Sequence, residues 1–237
     1  MGCDIHCYAE KRGEDGKWHF IGETQRDEPE DEGDAGYISG GRFYSGRNYY
    51  LFSILVDVRN GRVFAGVKTG VGYVPIAEPR GIPEDASSTY REIAEQWGVD
   101  GHSHSHHTLR QLLDYDWTQT TKLQGWCNAV EWSEWSRWNR ANGNGPSEYC
   151  GGVSGGNIRH VSAAEMDALL EPVSKKYGPE REEFAKQHSN VYALAEWHEE
   201  YSTSAKEFLA VYVPRLLQMA GGTQGLDDVR IVFFFDN

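Results

Sequence analysis

Asp4 and His6 stand two residues apart near the start of the chain, and Asp100, His102 and His104 repeat the acidic-then-histidine spacing further on. Carboxylate oxygens and imidazole nitrogens together suit zinc, manganese or iron, and a metal held with one coordination position open activates water for hydrolysis. On a strand, side chains at i and i+2 project to one face, so Asp4 and His6 would point together. Asp4, His6, His102 and His104 are therefore the expected ligands of a divalent metal ion. Asp100 or Asp236 would orient a ligand or accept a proton from bound water. The competing reading is structural, because polar histidine loops also solvate or cap helices. His106 and His107, directly before Thr108, fit that role better.

Arginines supply a second kind of chemistry. Arg42 and Arg47 flank Gly46, Arg80 stands between Pro79 and Gly81, and Arg230 opens an apolar run. Guanidinium groups at loops and element ends suit bidentate capture of phosphate or carboxylate, and a helix beginning at Asn48 would add free backbone amides. Arg47, Asn48 and Arg80 are the expected contacts to an anionic substrate, with ion pairing to the chain's many carboxylates as the alternative. No Walker loop or GxGxxG occurs in the sequence, which removes the motif support for P-loop motors and dinucleotide oxidoreductases. Trp126, Trp132, Trp135 and Trp138 could stack on a base or a sugar, but their spacing fits packing from one helical face. Strand alternation sets Cys3 on the face opposite His6, which counts against a Cys3 nucleophile.

These residues depend on the elements that carry them. Cys3–Lys11, a turn at Gly13-Glu14-Asp15-Gly16, and Trp18–Ile21 predict an opening β-hairpin. The acidic stretch from Arg26 to Asp34 reads as a solvated loop. Asn48 caps a helix whose apolar pattern runs through Tyr49, Leu51, Phe52, Leu55 and Val56 to a stop at Asn60-Gly61. Pro83 marks a short helical turn. Thr89 with Glu92, Thr108 with Gln111, and Ser162 with Glu165 read as capping boxes, and Gly98–His107 as the loop between the first two of these helices. Val191–Met219 reads as a long helical stretch divided by Pro214. Val229–Asn237 is a strand by composition, placed to pair near the first hairpin. The assembly predicted is α+β, with an antiparallel sheet that includes the N-terminal hairpin and the C-terminal strand and is covered by helices. It forms one domain over residues 1–237, carrying a Trp/Gly-rich insertion at about 118–157.

Lys plus Arg number 23 against 36 Asp plus Glu, a net charge of -13. That balance argues against a chain-wide basic surface for duplex nucleic acid or anionic membrane, while leaving room for a local pocket that takes a small phosphorylated ligand. Apolar runs such as Ile231–Phe235 fall far short of the roughly 20 residues of a membrane span. Asp4, His6, Glu10 and Lys11 occupy the place where a secretory signal would be apolar, so a cytoplasmic protein is expected. Cys3, Cys7, Cys127 and Cys150 form no CxxC pair and are expected to be reduced.

The opening Met1-Gly2-Cys3-Asp4-Ile5-His6, the Arg47-Asn48-Tyr49-x-Leu51-Phe52 helix start, Pro79-Arg80-Gly81-x-Pro83, Asp100-Gly101-His102-Ser103-His104-Ser105 and the closing Phe235-Asp236-Asn237 together resemble an uncharacterised family of tailed-phage and prophage proteins. The resemblance implies a phage or prophage setting and work in the bacterial host cytoplasm, and it brings no activity with it. The region Thr118–Asn157 lies outside those motifs. The histidine pairs also look faintly like the HxH strands of amidohydrolases and of the polymerase-and-histidinol-phosphatase superfamily. Here Asp-x-His replaces His-x-His and the repeated strand-helix units of those barrels are lacking, so only the chemistry carries over, as analogy. The leading expectation is a metal-dependent hydrolase of a small phosphorylated or nucleotide-like substrate. Its rivals are a non-catalytic protein that sequesters a nucleotide or occupies a host protein, and an interaction protein whose metal ties the chain ends together.

Overall fold

A computed structural model describes residues 2–27, 36–62 and 66–237. In chain order its strands are β1 (Asp4–Arg12), β2 (Trp18–Ile21), β3 (Thr24–Asp27), β4 (Tyr37–Gly40), β5 (His102–Thr108), β6 (Thr120–Asn128), β7 (Arg159–Val161), β8 (Val191–Glu200) and β9 (Val229–Asp236). The α-helices are α1 (Tyr49–Val56), α2 (Ser88–Gln96), α3 (Leu109–Asp114), α4 (Ala129–Trp138), α5 (Ala163–Leu170), α6 (Pro179–Gln187), α7 (Tyr201–Ser204) and α8 (Val213–Ala220), with a π-helical turn over Phe208–Tyr212. None is long and apolar enough to cross a membrane among the described residues. The fold is α+β, as the residue patterns predict. Where those patterns point to one domain with an insertion at about 118–157, the chain gathers into two compact units. The first takes Met1–Asn60, Val74–Trp117 and Ser204–Asn237, and the second Gly61–Tyr73 and Thr118–Thr203.

The first unit is built on an antiparallel sheet in the order β2-β1-β9-β5. β9 runs through its middle because Ile231–Phe235 is an unbroken β-branched and aromatic run, and every position from Val229 to Phe235 is buried. On one face Tyr8, Val232 and Phe234 pack against Tyr90, Ile93 and Ala94 of α2 and Ile38 of β4. Gln96 fastens β4 to α2 by exchanging hydrogen bonds with the Ile38 backbone at 2.7 and 2.9 Å. On the other face Phe52 of α1 meets Phe235 edge-on at 5.0 Å. The second unit has a three-stranded sheet, β6-β8-β7. β6 and β8 are antiparallel, whereas β7 is parallel to β8.

Caps made within one turn are found where the residues put them. Asn48 Oδ1 accepts from the Tyr50 and Leu51 amides, and Thr108/Gln111 and Ser162/Glu165 form reciprocal boxes. Several expectations need correction. α1 ends at Val56, short of Gly61, because Asp57 adopts the left-handed conformation (φ 62°) and turns its amide to the Ser53 carbonyl. α2 begins two residues early, since Ser87 and not Thr89 accepts from the Tyr90 amide, and the Ser87 amide is itself held by Glu10. Most of the Gly98–His107 loop is β5, recruited by the free edge of β9. The first third of the expected Val191–Met219 helix is β8, in which Val191, Ala193, Ala195 and Trp197 are buried at period two; Pro214 lies in the first turn of α8. Arg26 and Asp27 belong to β3, and the rest of the acidic stretch, 28–34, lies outside the described residues. The tryptophans divide: Trp126 is on β6, while Trp132 and Trp135 of α4 turn inward and Trp138 is exposed.

Candidate functional site

The first and last strands bring the chain's opening and closing motifs together. Antiparallel register sets Asp4 opposite Asp236 and His6 opposite Phe234. The Asp4 amide donates to Asp236 Oδ1 at 3.2 Å, and His6 Nε2 lies 3.3 Å from Asp236 Oδ2. β5 follows on the other side of β9, with His102 opposite Phe235. A β-bulge between His102 and Ser105, in which Ser103 has φ 52°, then alters the alternation. His102 stacks over Phe235 with centroids 6.1 Å apart, and His104 lies over Phe234 at 5.0 Å. Phe234 and Phe235 are consecutive strand residues and project to opposite faces, so the two histidines do as well.

Three arginines gather at this end of the sheet. Arg47 grips Asp4 through Nε and Nη2 at 2.7 and 2.6 Å, and this bidentate bond holds the Asp4 carboxyl below its ordinary pKa. Arg42 Nη2 lies 2.8 Å from His6 Nδ1. A guanidinium only donates, so that nitrogen must be the unprotonated acceptor and the His6 proton sits on Nε2, toward Asp236. Burial, at 1% exposure, and then the Arg42 charge push the His6 pKa down, so the ring is neutral. Arg59 donates to the Gly2 carbonyl at 3.2 Å and to Asn237 Oδ1 at 3.0 Å. That contact fixes the amide of Asn237, whose Nδ2 faces His102 Nε2 at 3.1 Å. His102 therefore accepts on Nε2 and carries its proton on Nδ1, 3.0 Å from Ser103 Oγ. Desolvation lowers its pKa too.

Asp4, His6, His102, Asp236 and Arg47 are thus neighbours, although the residues are separated by most of the chain. His104 lies over Phe234, as His6 does, and so shares the face of His6, while His102 is on the other face. The other expected residues lie apart. Asp100 is exposed in the turn after α2, where its amide bonds to the Trp97 carbonyl. Arg80 donates to the His106 carbonyl at 3.2 Å and to Gln111 Oε1 at 3.1 Å, near the start of α3. Asn48 is fully employed, since Oδ1 caps α1 and Nδ2 donates to the Ser204 carbonyl at 2.8 Å. Arg230 is a core residue: it pairs with fully buried Glu10 and with Asp85, each at 2.8 Å, and lies 3.9 Å from the Trp18 ring centroid. Burial raises the Cys3 thiol pKa, which makes it a poor nucleophile.

Sequence reasoning passed over Arg59 and Asn237. The signal for Asn237 was the recurrence of polar residues at both ends of the chain, which carries meaning only once β1 and β9 are paired; Arg59, in the interior of the sequence, had no such signal.

The donor set as it stands does not fit a metal ion. Asp4 is clamped by Arg47, His6 turns its lone pair to Arg42, and His102, on the opposite face from His6 and His104, gives its lone pair to Asn237. Among the described residues no group of three or more His, Cys, Asp or Glu side chains is arranged to hold one. What the arrangement offers chemically is a row of guanidinium groups beside acidic and neutral partners. Comparisons with models of known families, with curated proteins and with solved structures find no match to this chain.

Proposed function

We propose that the first unit binds a small anionic ligand, phosphorylated or nucleotide-like, where Arg42, Arg47 and Arg59 gather, and that it holds the ligand without turning it over. Arg42 carries this reading. It is exposed, its guanidinium donates to a neutral imidazole, and among the described residues it forms no ion pair with a carboxylate. Arg47 is exposed as well, and a solvent-exposed pair such as Arg47–Asp4 is weak, so a phosphate can displace the Asp4 carboxylate and take its bidentate place. Catalysis finds less support, because His6 is buried with both nitrogens directed at Arg42 and Asp236 and so cannot reach a substrate atom. In the phage setting that the sequence motifs imply, the role would be sequestration of a nucleotide.

One observation favours the metal-dependent hydrolase as a second reading: Asp4, His6 and Asp236 meet at this spot, and a divalent zinc, manganese or iron ion that displaced Arg47 would find carboxylates beside an imidazole. Calorimetric titration of the protein with nucleoside monophosphates and with inorganic phosphate, with and without chelator, separates the two. Saturable binding that survives chelation, is lost in Arg42→Ala and leaves the ligand intact is the expected result. Metal bound near stoichiometry, with phosphate released from the ligand and lost in His102→Ala, would replace binding with hydrolysis. No binding in any condition would sink both readings.

A further inference from the structure

The central strand of the second unit leaves one side unpaired over half its length. The Arg159 amide donates to the Asn190 carbonyl at 3.0 Å, so the even-numbered residues of β8 turn their backbone groups toward β7. β7 stops at Val161, opposite Ala193, while β8 runs on to Glu200. Beyond β7 the amides of Glu196, His198 and Glu200 and the carbonyls of Glu196 and His198 have no hydrogen-bond partner among the described residues. From Leu194 to Glu200 this edge is about 20 Å long at roughly 3.3 Å per residue, the length of an ordinary strand. Folded proteins blunt such an edge with a proline, a bulge, a short strand or a covering loop. Here the edge contains no proline, and its pairing with β6 keeps one register throughout. A cavity of about 340 Å³ lies beside it, lined by Leu194, Glu196 and His198 of the edge, Trp132 and Trp135 of α4 and Ala163 of α5.

Backbone donors and acceptors in regular alternation are matched by the backbone of another extended segment. The side chains along the edge select which segment. Glu196, His198 and Glu200 are exposed on one face of the sheet, whereas Ala195 and Trp197 are buried on the other. On the exposed face Lys122 offsets Glu196 through an exposed pair at 2.8 Å, and Glu200 has no cation partner among the described residues. A lysine or arginine on an added strand supplies that partner. On the other face the cavity is walled by Trp132 and Trp135, and Arg140 beside it is bonded to both Asp167 oxygens. Successive side chains of a strand project to opposite faces, so the segment that fits alternates basic with apolar residues. A second copy of this chain fits poorly. The register that pairs all three free residues of β8 with themselves sets Glu196 of each chain opposite Glu200 of the other, and like charges directly opposite are destabilising.

We propose that this edge of β8 takes an added β-strand from a partner protein, an extended segment in which lysine or arginine alternates with apolar residues and the apolar ones enter the Trp132/Trp135 cavity. The test uses the full ¹⁵N-labelled chain and a capped peptide of about seven residues that alternates lysine with valine. Saturable binding is expected, with hydrogen exchange slowed far more at the amides of Glu196, His198 and Glu200 than at those of Ala195 and Trp197, which already face β6. N-methylation of every second peptide amide should abolish binding in one of its two frames and spare it in the other. Glu196→Gln combined with Glu200→Gln should weaken binding about tenfold, the worth of two cross-strand charge pairs. Amides of Glu196, His198 and Glu200 that do not respond to the peptide overturn the proposal. Equal binding of both N-methylated peptides also overturns it, because the attraction would then be of charge alone. Protection of the same three amides in the free chain, lost on dilution, assigns the edge to a second copy and overturns it as well.

Discussion

Acid should unfold the first unit well before its carboxylates are protonated, and His107 sets the size of the effect. Its Nε2 donates to the Leu55 carbonyl at 2.8 Å, its Nδ1 has no partner, and the side chain is wholly buried between β9 and α1. Desolvation is the main cause that drives its pKa down to about 3 from an ordinary 6.5. The folded-state pKa is therefore lower than the unfolded one. Between the two values the unfolded chain binds a proton that the native chain does not, so stability is full above pH 6.5 and falls as pH drops toward 3. One proton corresponds to about 1.4 kcal/mol per pH unit, so His107 alone removes roughly 2.7 kcal/mol by about pH 4.5. His6, His102, His104 and His106 are shifted downward too, each mainly by burial, and steepen the loss. Domains hold only about 5–15 kcal/mol in total. Urea denaturation followed by far-UV circular dichroism at a series of pH values, for the native chain and for His107→Gln, measures the slope. Glutamine can still donate to Leu55 but cannot titrate, so the variant should lose about one proton's worth of pH dependence. An unchanged slope, or a His107 imidazole that titrates near 6.5 by NMR, would refute the reasoning.

Other outcomes follow from single contacts. Glu10→Ala leaves Arg230, a cation 3% exposed, with the exposed Asp85 as its remaining carboxylate and should lower stability in denaturant titration, whereas replacing Glu10 and Arg230 together by apolar residues of similar volume should cost less. Asn48→Ala removes the α1 cap and the bond to Ser204, a loss of about 1–2 kcal/mol visible as a lower urea midpoint. Gly125→Ala would place a methyl 2.3 Å from the Tyr149 ring and should destabilise the second unit by about 1–3 kcal/mol, read as reduced amide protection on β6 and β8 in hydrogen exchange. Arg47→Ala should weaken any phosphate binding while leaving the melting temperature nearly unchanged, because its pair with Asp4 is exposed.

Interactions closed within a few residues were legible from the residues alone. Thr108 with Gln111 and Ser162 with Glu165 satisfy helix amides three positions away, Asn48 does the same for α1, and the run Ile231–Phe235 is too apolar and β-branched to be anything but a buried strand. The candidate metal and substrate residues near both ends were also visible as types. Their meeting was not. Asp4 and Asp236 are neighbours only because β1 and β9 pair in one particular register, a choice made by which faces the two strands bury.

The same holds for the elements that sequence patterns misassigned. His102–Thr108 has little strand propensity and became a strand because β9 presented an unpaired edge, and β8 hid an alternating burial pattern under alanines that are equally at home in a helix. The bulge that parts His102 from His104, the lone pair that Arg42 draws from His6, and the gathering of 61–73 with 118–203 into a unit of their own all rest on groups distant in sequence. Local chemistry is written in a few consecutive side chains. Register, facing and lone-pair direction are decided by the partner across the sheet, which only the folded chain supplies.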